Sequence, residues 1–151
     1  MIIQKIGVIY NMNFEESKQE LSTTFDYIYD FGDPNDRKVL ADYNDFSRKL
    51  LCFKIAQEEK NFDIVQPVVN VETKNYNING VFMISAIYIL NKSMFSNKIK
   101  TDEFMITVQK HEEDGIQEYY WFTANFEELD RIFYEFIVNK KTPDTSNFDT
   151  I

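Results

Sequence analysis

A single histidine, a single cysteine and several runs of carboxylates are the residues of this 151-residue chain with chemistry to offer. His111 stands in KHEEDG beside Lys110, Glu112 and Glu113, where a hairpin tip is expected. A general base needs a pocket and a nucleophile, and a turn supplies neither, so His111 reads as a solvated turn histidine. Cys52 falls in the apolar section of a helical stretch and reads as a small buried hydrophobe. Pairing the two as nucleophile and base would require a helical core position to meet a loop tip. One Cys and one His cannot build the usual zinc sites. Glu112, Glu113 and Asp114 offer hard oxygen ligands without the D-x-[DN]-x-[DN]-G spacing of a calcium loop. The four glycines form no P-loop, no G-x-G-x-x-G and no G-x-S-x-G. The expectation is a protein that is not an enzyme, with no catalytic residue, no metal and no cofactor.

What remains for the carboxylates is recognition. The net charge is −9, and ten of the 25 acidic residues but only two of the 16 Lys and Arg lie between Asp102 and Glu135. Such a balance repels nucleic acid and anionic lipid, whose phosphates dominate affinity, and suits a basic protein partner. Solubility alone accounts for many acidic totals, but less readily for charge gathered into one quarter of a chain. The run Tyr119, Tyr120, Trp121, Phe122 alternates on a strand, so one pair of rings joins the core and the other either sits beneath a helix or lies on an exposed face, where it would supply contact anchors. The partner-binding set expected from the sequence is therefore Glu112, Glu113, Asp114, Glu118, Tyr120, Trp121, Glu127, Glu128 and Asp130.

The elements that must position this set can be read in order. Ile2 to Tyr10 suits a strand. Asn13 with Glu16 has the form of a capping box, and Phe14, Leu21, Phe25 and Ile28 follow as one apolar stripe of a first helix that Gly32 would close. Asp33, Pro34 and Asp36 would open a second helix, with Val39, Tyr43, Phe46, Leu50 and Phe53 as its seam and Leu40, Leu51 and Ile55 widening it. From Phe62 the pattern is extended: FDIVQPVVNVET, a turn at KNYN, then INGVFMISAIYIL, with Pro67 pointing to an edge strand or bulge. Val81 to Leu90 is apolar on both faces, as a central strand would be. The loop NKSMFSNKIK is basic. Phe104 to Val108 and Ile116 to Phe122 pair across Asp114-Gly115, whose residues tolerate a tight turn. Asn125 and Glu128 cap a last helix with the face Leu129, Ile132, Phe133, Phe136 and Ile137, stopped by Pro143. The predicted fold is α+β, in the order β-α-α-β-β-β-β-α. It is an antiparallel sheet of four to five strands with helices packed on one face. The chain reads as one domain, 1–151, with 142–151 a mobile tail that has little to pack against.

Hydrophobic content of 44% gives a chain of this length a core that needs no disulfide, and one cysteine can form none. The N-terminus has no basic leader or small-residue cleavage site. The longest apolar run is about half of the ~20 residues a spanning helix requires. A soluble, cytoplasmic protein that binds no membrane is expected.

This combination of small size, capped-helix α+β pattern, absent catalytic set and acidic segments HEEDGIQEYYWF and NFEELDRIFYEF resembles the immunity proteins of bacterial toxin systems, including contact-dependent growth inhibition. The resemblance is to the class and transfers no site residues. It implies a cognate basic toxin domain, often a nuclease, held by charge complementarity. The alternative is a cone-shaped small-ligand-binding module or enzyme, in which helices close over a curved sheet and a buried Glu72 or Glu118 with raised pKa does the chemistry.

Overall fold

The computed structural model describes residues 26–60, 66–74, 76–89 and 102–150. The strand expected at Ile2 to Tyr10 and the capped helix expected from Asn13 lie outside them up to residue 25. Among the described residues, seven strands form one antiparallel sheet in the order β2-β1-β3-β4-β5-β6-β7. The strands are β1 (Tyr27–Asp30), β2 (Lys38–Val39), β3 (Val68–Thr73), β4 (Val81–Ile89), β5 (Glu103–Glu112), β6 (Gly115–Thr123) and β7 (Asp149–Thr150). Helix α1 (Tyr43–Glu59) separates β2 from β3, and α2 (Phe126–Ile137) separates β6 from β7. The α+β class and the β3-β4-β5-β6 meander match the sequence expectation, while the sheet is wider than four to five strands.

Register explains which side chains face the helices. Tyr29 lies opposite Val71, Val71 opposite Ile84, Ile84 opposite Val108 and Val108 opposite Tyr119, which puts one residue from each of five strands in a row on the same face. Both helices pack on that face. Phe46 of α1 meets Tyr29 at 5.5 Å and Phe133 of α2 at 5.8 Å between ring centroids, and Phe53 meets Phe104 at 5.9 Å. Phe46, Phe53, Phe104, Phe133 and Phe136 are wholly buried, so aromatic rings fill the space between helices and sheet. Tyr27 closes one end of this core: its hydroxyl donates to the Phe136 carbonyl at 2.5 Å, satisfying one of the orphan acceptors in the last turn of α2. That burial also holds the Tyr27 hydroxyl far above its ordinary pKa.

Several local expectations are corrected. The expected first-helix stripe includes Ile28, but YIYD forms β1, because Tyr27 and Tyr29 at a spacing of two both bury on the helix face. Asp33 does cap a helical turn, accepting from the Asn35 N–H at 2.9 Å, but that turn is a three-residue 3-10 helix, Pro34–Asp36. The chain then pairs with β1 through Lys38 and Val39, and α1 starts only at Tyr43, capped by Asp42. Val39 is consequently exposed on β2 rather than part of the seam; Tyr43, Phe46, Leu50 and Phe53 do form it. Leu51 and Ile55, expected to widen it, point to solvent at 43% and 49% exposure.

Pro67 precedes the first residue of β3, so it removes no ladder donor, and β3 is internal rather than an edge. At the β5–β6 hairpin, only Gly115 has positive φ, at +117°, so the left-handed demand falls on glycine alone and not on Asp114. Residues 142–150 find the packing partners they were expected to lack. Thr145–Asn147 makes a 3-10 turn, Phe148 stacks on Trp121 and β7 pairs with β6.

Candidate binding surface

The side of the sheet turned away from α1 and α2 is uncovered by any helix among the described residues. It presents half-buried Val68, Met83, Ile87, Met105, Tyr120 and Phe122. A chain of polar contacts crosses it. Ser85 donates to Asn70 Oδ1 at 2.7 Å, Asn70 donates to Asp30 Oδ1 at 2.9 Å, and Arg37 bridges Asp30 and Glu72 at 3.4 and 2.6 Å. Those contacts neutralise the acids at the β1 side of the face. At the β6 side Glu118 meets, among the described residues, the neutral side-chain amide of Gln109, which donates at 2.5 Å and does not cancel its negative charge.

Next to Glu118 the hairpin runs out beyond its neighbours. β4 pairs with β5 only as far as Lys110, and β7 touches β6 only at Tyr119 and Tyr120. The end that projects carries Glu112, Glu113 and Asp114 together with Ile116, the most exposed large hydrophobic among the described residues at 61%. His111 lies opposite Ile116 and stacks on Phe82 with ring centroids 4.4 Å apart. It is thus a strand residue with an aromatic partner, not a turn residue. Glu112 accepts the Tyr119 hydroxyl proton at 2.6 Å, and that charge-assisted bond raises the Tyr119 pKa.

The nine residues nominated from sequence do not share one face. Glu112, Glu113 and Asp114 occupy the hairpin tip, Glu118 and Tyr120 the open face, and Trp121 the opposite, helix-bearing side, opposite buried Ile106. Glu127 and Glu128 open α2 beyond Thr123, at the far end of the nine-residue β6. At about 3.3 Å per residue, strand length alone holds them roughly 26 Å from the tip. The acids of the partner-binding set expected from the sequence are therefore divided between two separated groups. Within them, none of Glu112, Glu113, Asp114, Glu118, Glu127 and Glu128 enters a salt bridge among the described residues. Asp130 is engaged in contacts of its own.

No family model, curated protein or solved structure matches this chain. The geometry therefore carries the functional argument alone. The cone-type alternative required Glu72 or Glu118 enclosed between helices and sheet, and both lie on the other side. Cys52 and His111 are likewise separated by the sheet; Cys52 is exposed on α1, correcting the buried-hydrophobe expectation, while partial desolvation of its sulfur raises the thiol pKa. Among the described residues no group of three His, Cys, Asp or Glu could hold a metal ion, and no helix is long and apolar enough to cross a membrane.

One feature escaped the sequence reading. Between α2 and the segment after it lies an open cleft of about 440 Å³, floored by Trp121, Ile132 and Phe148 and rimmed by Arg131, Lys141 and Glu128. The signal available was Phe148, the one aromatic residue in an otherwise polar tail.

Proposed function

We propose that this protein is a non-catalytic, cytoplasmic inhibitor of the immunity-protein kind. It binds and neutralises a basic cognate toxin domain, of which a nuclease is the foremost case, through the hairpin end and the open face of the sheet. The observation that carries this reading is the set of hairpin-side carboxylates left without a cationic partner among the described residues, next to exposed Ile116 and half-buried Tyr120. Carboxylates in that state attract a basic surface at long range, and an aliphatic and an aromatic side chain beside them supply the short-range affinity that charge alone does not. The rigid nine-pair β5–β6 ladder presents them without an ordering cost at the moment of binding. Glu127, Glu128 and Trp121 fall outside this contact.

The test is capture of a basic toxin domain by the full chain in co-purification, followed by association kinetics at low and high salt. The double variant Glu113→Lys, Asp114→Lys should slow association by about tenfold at low salt and by much less at high salt. A complex whose formation rate ignores both the salt and the charge reversal would remove the electrostatic basis of the proposal.

A further inference from the structure

The cleft beside α2 has a lining of net negative charge: Glu128, Glu135 and Asp144 stand against Arg131 and Lys141. Glu135 accepts from the Asn139 side chain at 3.1 Å, and Asp144 accepts from the Ser146 N–H at 3.0 Å. Both donors are neutral, so both charges remain, and the Ser146 bond holds Asp144 below the usual carboxylate pKa. Arg131 sits three residues after Glu128 and four before Glu135, positions from which a helical arginine ordinarily reaches a carboxylate. Yet neither Arg131 nor the Lys141 ammonium enters a salt bridge among the described residues. Burial divides the two signs. Arg131 and Lys141 are exposed, whereas Glu128 and Glu135 are half-buried. Of the three carboxylates, Glu128 makes no side-chain hydrogen bond among the described residues, which leaves its oxygens as open acceptors.

Beneath them the floor is aromatic and apolar. Trp121 and Phe148 stack with centroids 5.6 Å apart and ring planes within 16°, and Ile132 and Pro143 complete the wall. A volume of about 440 Å³ lies within the range of small-molecule sites, roughly 300–1,000 Å³. We infer that this cleft binds a small organic cation, a primary ammonium carried on an apolar body. The ammonium donates to Glu128, Glu135 and Asp144 keep the potential around it negative, and the Trp121–Phe148 floor takes the body. Aromatic rings favour the same sign, because their electron-rich faces attract cations. Arg131 is the competitor of this ligand for Glu128, not its partner. The site is independent of the inhibitory surface, which lies at the hairpin end and on the other side of the sheet.

Trp121 is the only tryptophan, so its emission reads this cleft directly. The full chain is titrated with benzylamine, with uncharged benzyl alcohol and with phenylacetate, three ligands that share a ring and differ in the charge of the head. A saturable change with benzylamine is expected, at an affinity about tenfold or more above that for benzyl alcohol, as a charge-assisted hydrogen bond requires. Phenylacetate should bind more weakly than either. Glu128→Gln should lose the preference for the amine, and Arg131→Gln, which removes the competitor, should keep or strengthen it. The inference is overturned if benzylamine gives no saturable response, if benzyl alcohol or phenylacetate binds as well as the amine, or if Glu128→Gln retains the full preference.

Discussion

Replacing Phe148 with alanine removes the ring that attaches the C-terminal segment to the body of the protein. The Phe148–Trp121 pair is stacked at 5.6 Å and 16°, and the strand pairing beyond it among the described residues is Tyr119 with Thr150 and Tyr120 with Asp149. A stacked aromatic pair contributes about 1 kcal/mol beyond its area. Half-burial of a Phe side chain adds about 1 kcal/mol of apolar transfer. Phe148→Ala should therefore lower unfolding free energy by about 2 kcal/mol, read as a reduced denaturant midpoint at unchanged m-value. Because Trp121 loses its cover, its emission should shift to the red in the native state, before any denaturant is added. A stability loss under about 0.5 kcal/mol with unmoved emission would mean that the stack contributes nothing in solution, since surface substitutions away from such features stay within that range.

Tyr27→Phe should cost about 2 kcal/mol in urea unfolding, because it leaves the Phe136 carbonyl without its donor in a buried helix end. An effect indistinguishable from zero would contradict the capping role. Gly80 has φ of +88°, and a Cβ there would stand 2.8 Å from the His111 carbonyl oxygen. Gly80→Ala should destabilise by about 2 kcal/mol and raise amide exchange at His111, which donates to the Gly80 carbonyl. Alkaline titration should weaken the fold. Burial and the neighbouring Asp102 push Tyr88 up to about 12 from 10.0, so the unfolded chain gives up this proton first. Its contribution is complete below pH 10 and is lost between pH 10 and about 12; Tyr27 acts in the same sense. Stability that stayed level across that window would exclude the buried tyrosine hydroxyls as its source.

The parts of the fold legible in the sequence are those where one period had no competitor. Leu129, Ile132, Phe133, Phe136 and Ile137 repeat at helical spacing behind a real N-cap, and all five are buried as expected. Val81 to Ile89 is apolar on both faces apart from Ser85 and lies mid-sheet. The reading failed where two signals overlapped. Tyr27 and Tyr29 satisfy a strand period inside a stretch whose Phe25 and Ile28 suggested a helix, and cross-strand pairing with β3 decides for the strand. Asp33-Pro34 and Asp42 are both valid helix openings; only Asp42 is followed by an uninterrupted seam. The site was harder still. Proximity in sequence suggested that the hairpin acids and the α2 acids are neighbours, but β6 carries the chain the length of the sheet between them. Strand alternation correctly sent the rings of Tyr120 and Trp121 to opposite sides, yet nothing in the sequence said that Phe148 would return to meet Trp121.

The two outermost strands, β2 and β7, are each two residues long. An edge that brief offers almost no row of free N–H and C=O groups on which another molecule can template a strand. β7 covers only Tyr119 and Tyr120 of the nine-residue β6, so its loss would free the middle of that strand as well, beside the exposed Ile116. Asp149 and Thr150, held in place by the Phe148–Trp121 stack, thus interrupt the outer side of β6 at its middle and shorten the continuous edge on which another strand could pair.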